Sequence, residues 1–237
     1  MMSTTSLDKF IENIFQSVTI KQANNEEFFY WPSSDVHCWE NLNKTINTPE
    51  RLLTHVKNRR VVIQAGGNAG FYIQQYAKEF ERVYTFEPEP INFFCLNANT
   101  INFPNVVKFQ ACVGYTNKLV AIEHHPADFG GIHVFEKSHQ YSHEQLLKPT
   151  MIPVMRIDDL ALDACDLIQL DVEGYEYYAL LGALETINKF KPIVCLEQAW
   201  SEKYYSISYE ETEKILLDLG YSQIDSFESD RVYQYTK

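Results

Sequence analysis

"VVIQAGGNAGFYIQQYAKEF", Val61 to Phe80, runs from an apolar stretch (Val61, Val62, Ile63) through a glycine-dense turn (Gly66, Gly67, Gly70) into residues at helical spacing (Phe71, Ile73, Tyr76, Ala77, Phe80). The order reads as strand, tight turn and helix, which presents free backbone N–H groups to a nucleotide-like ligand. The same alternation continues downstream. Further strands are predicted over Val83–Glu87, Val106–Val113, Leu167–Asp171 and Ile193–Glu197, and helices over Phe71–Phe80, Pro90–Thr100, Tyr175–Asn188 and Tyr209–Leu219. Strands and helices in turn imply parallel strands with crossover helices, hence an open, doubly wound α/β sheet. At the C-terminus "YSQIDSF" and "RVYQYTK", separated by "ESD", predict a hairpin that adds an antiparallel strand.

The glycines stand as G-G-N-A-G, not in the G-x-G-x-x-G spacing of a dinucleotide site, and no Gly-Lys-Ser/Thr follows to make a P-loop. The next strand ends in "TFEPEP". An acid at that tip, Glu87, is placed to accept hydrogen bonds from ribose hydroxyls. Turn and acid together predict an adenine nucleoside ligand, and dinucleotide enzymes share that pair.

Composition narrows the partner. With a net charge of -12 the chain has no basic face for a phosphate backbone, so nucleic acid is a poor expectation and a small or neutral acceptor a better one. Its 237 residues, 45% apolar and 14% aromatic, fill a sizeable core. The cysteines Cys38, Cys95, Cys112, Cys165 and Cys195 are scattered and read as reduced core residues. No signal peptide or membrane span is legible, and the expectation is a soluble, cytoplasmic protein. Residues 1–58 read as an N-terminal lid or docking segment ahead of a main domain over 59–237. Leu7, Phe10, Ile11, Ile14 and Phe15 are spaced for a helix, "NNEEFFYWPSSDVHCWENLNKT" has no sustained period, and Pro49–Val56 reads as a short helix capped by Thr48. Between about 118 and 156, "LVAIEHH", "GIHVF" and "MIPVMRI" form an insertion expected to contribute to an acceptor pocket.

"DLIQLDVEGYEYYALLGALETINKFKPIVCLE", Asp166 to Glu197, resembles the signature of the FkbM-type methyltransferases, which are S-adenosylmethionine-dependent O-methyltransferases. The matching elements are Ile157-Asp158-Asp159-Leu160, Asp171-Val172-Glu173-Gly174 with Glu176, Leu181-Gly182-Ala183, Lys191-Pro192 and Glu197; upstream, Gly66, Asn68 and Gly70 match a G-x-N-x-G turn, and Phe86-Glu87-Pro88 a second-strand tip. The resemblance implies a class I methyltransferase fold with S-adenosylmethionine as cofactor. Its methionine part would lie against Gly66, Gly67, Asn68 and Gly70, its ribose on Glu87 between Phe86 and Pro88, and its adenine near Ala111 and Cys112. The acceptor would be a hydroxyl of a glycan or another small molecule. Two positions depart from the family pattern: Gln64, where an acid usually orients the cofactor's amino acid portion, and Gln169, often a lysine.

Asp171 ends the fourth strand, where such sheets bind ligands, and is the candidate acceptor positioner or general base; helix capping is the structural alternative for it and for Glu173. Glu197 at the next strand end and His125 complete the catalytic candidates. His124, His125, Asp128 and His133 follow no metal-ligand spacing, so no metal is expected. The readings carried beside a methyltransferase are a catalytically degenerate cofactor-binding module, which Gln64 keeps open, and a NAD-type oxidoreductase, disfavoured by the glycine spacing.

Overall fold

The computed structural model describes residues 16–125, 128–135 and 150–237, without the side chains of 123–125 and 128; the helix expected around Leu7–Phe15 lies outside the described residues. The chain begins with a hairpin, β1 (Val18–Gln22) and β2 (Phe28–Pro32), followed by α1 (Cys38–Lys44) and α2 (Thr48–Leu53). Its second strand sits in the stretch where no period was legible, because outward and inward positions are both aromatic. Phe28 and Tyr30 face solvent while Phe29 and Trp31 are buried, an alternation typical of a half-covered strand. In α2, Thr48 is already helical and Asn47 occupies the cap position, so the expected Thr48 cap is corrected by one residue.

From β3 (Val61–Ala65) the alternation proceeds as read: α3 (Phe71–Glu79), β4 (Arg82–Phe86), α4 (Pro90–Asn99) and β5 (Val106–Phe109). The strand expected over Val106–Val113 is broken. After β5 the chain leaves the main sheet, and β6 (Cys112–Val113) joins β7 (Lys118–His125), β8 (Asp128–Phe135) and β9 (Thr150–Met155) in a second sheet ordered β6-β9-β7-β8. β10 (Leu167–Leu170) returns to the main sheet, and α5 (Glu176–Leu181), α6 (Leu184–Phe190), β11 (Ile193–Glu197), α7 (Ser201–Tyr205), α8 (Tyr209–Asp218), β12 (Tyr221–Phe227) and β13 (Asp230–Tyr235) complete the chain.

The main sheet is ordered β12-β13-β11-β10-β3-β4-β5. β11, β10, β3, β4 and β5 run parallel, and at one edge β13 pairs antiparallel with β11 and β12 antiparallel with β13. Because side chains alternate along each strand, the sheet has two apolar faces. Val62, Val83, Leu167 and Cys195 pack with Ile73, Tyr76 and Leu96 of α3 and α4, while Ile63, Ala65, Ile168 and Leu196 pack with Ala179, Leu180, Ile187 and Leu216 of α5, α6 and α8. This is the doubly wound α/β arrangement expected.

The single helix expected over Tyr175–Asn188 is two. Gly182 lies where a Cβ would collide with the Gly114 carbonyl, and its own carbonyl accepts the Asp158 N–H at 2.9 Å. The Asp158 carboxylate then accepts the Thr186 and Glu185 N–H groups at 2.8 and 3.2 Å, supplying from a distant segment the cap that starts α6.

Candidate active site

The chain leaves β3 toward β4 on one side and returns through β10 on the other, so the direction of winding reverses between β3 and β10. A crevice opens at such a point, beyond the carboxyl ends of the strands. Two turns meet there. The Asp171 N–H donates to the Ala65 carbonyl at 3.0 Å. Gly66 takes φ +79° and lies where a Cβ would strike the Asp171 carbonyl oxygen, so the glycine allows both the turn and the approach.

The glycine turn is tied to the tip of β4. The Gly67 N–H donates to the Phe86 carbonyl at 2.8 Å. The Glu87 carboxylate accepts the Asn68 N–H at 2.7 Å and the Glu89 N–H at 2.8 Å. Glu87 is buried, and burial pushes its pKa up to about 8 against the lowering effect of those N–H donors. Gln64, also buried, donates from Nε2 to the Gly66 carbonyl at 2.8 Å and accepts the Thr85 hydroxyl at Oε1 at 3.2 Å. Gln169 accepts the Tyr76 hydroxyl at 2.6 Å beneath α3.

The second group comes from β10, β11 and β13. Asp171, Glu173 and Glu197 each present an oxygen within 4.8 Å of the others, a spacing that one divalent cation or one shared proton can relieve. Burial raises the pKa of both Asp171 and Glu197; Glu197 is raised further by the neighbouring Asp171, Glu173 and Glu176 carboxylates and by a hydrogen bond with Asp171. Asp171 and Glu197 thus titrate as one buried pair that resists carrying two charges. Glu197 Oε2 is buried without a hydrogen-bond partner among the described residues. Asp230, at the start of β13, is raised to about 7 by burial and by Asp171. Tyr175 holds the cap position of α5 and makes no side-chain cap bond. The loop before α5 is braced instead by Glu176, whose Oε1 accepts the Val172 and Gly174 N–H groups at 2.9 and 3.4 Å.

One cavity of about 770 Å³ joins the two groups. Gln64, Gly66, Gly67, Asn68, Phe86, Glu87, Pro88, Ala111 and Cys112 line it together with Asp171, Glu173 and Glu197. Of the predicted positions Gly70 does not reach it; a Cβ there would press on Leu96 of α4, so Gly70 serves helix packing. His133 lines the wall and stacks on Tyr204, with ring centroids 3.8 Å apart. His125 lies on β7, but its side chain, like those of His124 and Asp128, is outside the described residues. Sequence reasoning missed Asn92 on α4, Tyr72 on α3, Lys44 and Thr45 at the end of α1, and Trp200, Lys203 and Tyr204 around α7, all of which line the cavity. Only Trp200 carried a signal, as an aromatic three residues after the strand-ending Glu197.

The sequence profile described as Methyltransferase FkbM domain matches residues 64–222, more than half of the chain. No characterised protein sequence matches significantly. Among solved structures, methyltransferase FkbM from Methylobacillus flagellatus KT aligns over 82% of this chain and 52% of its own, at 19% identity and a TM-score of 0.48. The present chain thus spans about half the length of that protein. A protein from Pyrococcus horikoshii aligns over 92% of this chain and 70% of its own, at 11% identity and a TM-score of 0.50. TYW2 from M. jannaschii, in complex with AdoMet, aligns over 93% and 87% at 12% identity and a TM-score of 0.46.

Proposed function

The chain belongs to the FkbM methyltransferase family, and we propose that it transfers a methyl group to a hydroxyl of a glycan or another small molecule. S-adenosylmethionine is the cofactor, and the residues present suit it. The cavity has the size of small-molecule sites, Glu87 offers a carboxylate to a ribose diol, and Phe86, Ala111 and Cys112 form an apolar wall for a flat base. In this reading Gly66, Gly67 and Asn68 hold the methionine end. When bound, the cofactor supplies a sulfonium methyl group open to in-line attack. The protein aligns the acceptor oxygen with that methyl and excludes water, which contributes several kcal/mol.

The observation that carries the hydroxyl reading is the buried Asp171–Glu197 pair. An alcohol must lose its proton as it attacks, whereas a carboxylate acceptor needs no base. Asp171 faces the cavity beside Glu197, and burial raises the pKa of both. Asp171 is therefore the general base, Glu197 keeps it oriented, and Glu173 and His125 are auxiliary positions at the acceptor end.

The test pairs calorimetry with S-adenosylhomocysteine and methyl transfer to a panel of hydroxylated, amine and carboxylate acceptors. Asp171→Asn should bind S-adenosylhomocysteine as the wild type does and lose transfer to the hydroxylated acceptor by about 10²-fold or more. Chelator should leave wild-type turnover unchanged. A wild type that binds the cofactor and methylates only amines or carboxylates would overturn the hydroxyl reading, and one that methylates nothing across the panel would favour the degenerate binding module.

A further inference from the structure

Trp200, just before α7, lines the cavity and is 46% exposed. Its backbone lies in the left-handed region, at φ 67° and ψ -18°. A bulky side chain seldom adopts that conformation, and where it does the surroundings impose it, often at a ligand-holding position. Here the loop is pinned from two directions. The Gln198 N–H donates to the Ser229 carbonyl at 2.7 Å, in the turn between β12 and β13. On the other side a Cβ on Gly174 would come within 2.7 Å of the Ser201 nitrogen and 2.8 Å of the Trp200 carbonyl carbon. The absent side chain of Gly174 thus sets Trp200 against the turn that carries Asp171 and Glu173.

Three chemistries meet at this part of the wall. Trp200 lies beside Tyr204, with ring centroids 6.0 Å apart, and Tyr204 stacks on His133, so the cavity has an aromatic side. The negative π-faces of such rings attract polarised C–H groups. Asp171, Glu173, Glu197 and Asp230 line the same cavity; carboxylates accept hydrogen bonds from hydroxyls and repel an anion. The Lys203 ammonium lies 4.7 Å from the centroids of both Trp200 and Tyr204, where it repels a second cation. The ligand that suits all three is uncharged, with C–H groups on its face and hydroxyls on its rim, which describes a pyranose ring. We propose that Trp200 is the acceptor-specificity residue and that the acceptor is a neutral pyranoside stacked on its indole, with one hydroxyl turned to Asp171. The proposal rests on the reading that Asp171 serves a hydroxyl acceptor.

The test measures methyl transfer by the wild type, Trp200→Leu and Trp200→Phe to methyl hexopyranosides, their amino- and carboxyl-bearing counterparts, acyclic alditols, simple alcohols and phenols. The wild type should prefer a neutral pyranoside. For that pyranoside Trp200→Leu should raise KM about tenfold, the scale of one aromatic contact, with kcat little changed. Trp200→Phe, which keeps a ring, should lose less, and both variants should bind S-adenosylhomocysteine as the wild type does. A second readout needs no turnover and serves if the leucine variant does not fold. Of the three tryptophans only Trp200 lines the cavity, so adding the pyranoside to the S-adenosylhomocysteine complex should perturb tryptophan fluorescence in the wild type and not in Trp200→Phe. A wild-type KM in Trp200→Leu, or fluorescence perturbed equally with and without Trp200, would overturn the proposal. So would a wild type that prefers an alditol, a charged sugar or a non-carbohydrate alcohol, and the hydroxyl reading would then stand alone. Transfer to amines or carboxylates only, or to nothing, would remove that reading as well.

Discussion

Gln64 departs from the family pattern, and its geometry gives the reason. The side chain spans two fixed partners, donating to the Gly66 carbonyl and accepting from Thr85. Only a carboxamide does both, because a carboxylate has no N–H to give. The residue therefore braces the glycine turn while also lining the cavity. Gln64→Glu keeps the length and removes the donor, setting a buried carboxylate oxygen against a carbonyl oxygen. Urea denaturation of the ligand-free protein should show a loss of about 1–3 kcal/mol, the scale of an unmet buried polar group. Stability unchanged in Gln64→Glu would mean the turn holds without this bond. Gln169 is the parallel case on the neighbouring strand. It pairs with Gln64 in register and spends its carbonyl on Tyr76 beneath α3, so its departure from lysine concerns core packing.

At the scale of elements, the loop from β10 to α5 is held by a titrating group. Glu176 is buried, and its pKa rises from the ordinary 4.5 to about 8, chiefly through burial. Below pH 4.5 the folded and unfolded chains both carry this proton; between there and pH 8 only the folded chain does. Each step upward in that window therefore favours unfolding, and above it the penalty is constant. Glu176→Gln keeps an Oε1 to accept the Val172 and Gly174 N–H groups and removes the titration. Its Tm should fall less than the wild type's between about pH 5 and about pH 8.5 and exceed it at the upper end. Parallel curves would assign the pH response to other carboxyls. Element boundaries also show what a sequence carries. β3 and the helix after it were legible because apolar period and glycine turn agree locally, and the strand-tip acids Glu87, Asp171 and Glu197 followed from them. The break at Gly182 was not, since the cap for α6 comes from Asp158. Nor was Asn92, whose relation to the cavity exists only once β8 covers α4.

Over the whole molecule, segments remote in sequence converge on the backbone of Phe129 in the second sheet. Its carbonyl accepts the side-chain N–H groups of Asn68, from the glycine turn, and of Asn92, from α4. Its N–H donates at 3.3 Å to Asp35, which follows the N-terminal hairpin. Asp35 is buried and also accepts the Trp31 indole N–H at 2.7 Å and the Trp39 and Cys38 N–H groups at 2.9 and 3.2 Å. One carboxylate thus joins the hairpin, α1 and β8, and the cavity wall formed by Cys38, Asn41, Leu42, Lys44 and Thr45 hangs from it. The described part of the region read from sequence as a lid or docking segment thus contributes lining residues to the cavity. Asp35→Ala leaves four N–H donors without their acceptor and should lower stability by about 3 kcal/mol, less than a sum over bonds because the donors relax together. The more telling readout is local. Amide hydrogen exchange should accelerate at Phe129 and along α1 but not in β3, β10 or β11, and S-adenosylhomocysteine should bind more weakly because Asn68 and Asn92 lose a fixed partner. Normal affinity with unchanged exchange at Phe129 would show that the two walls are held independently and that the convergence on Phe129 does not couple the N-terminal region to the cofactor end of the cavity.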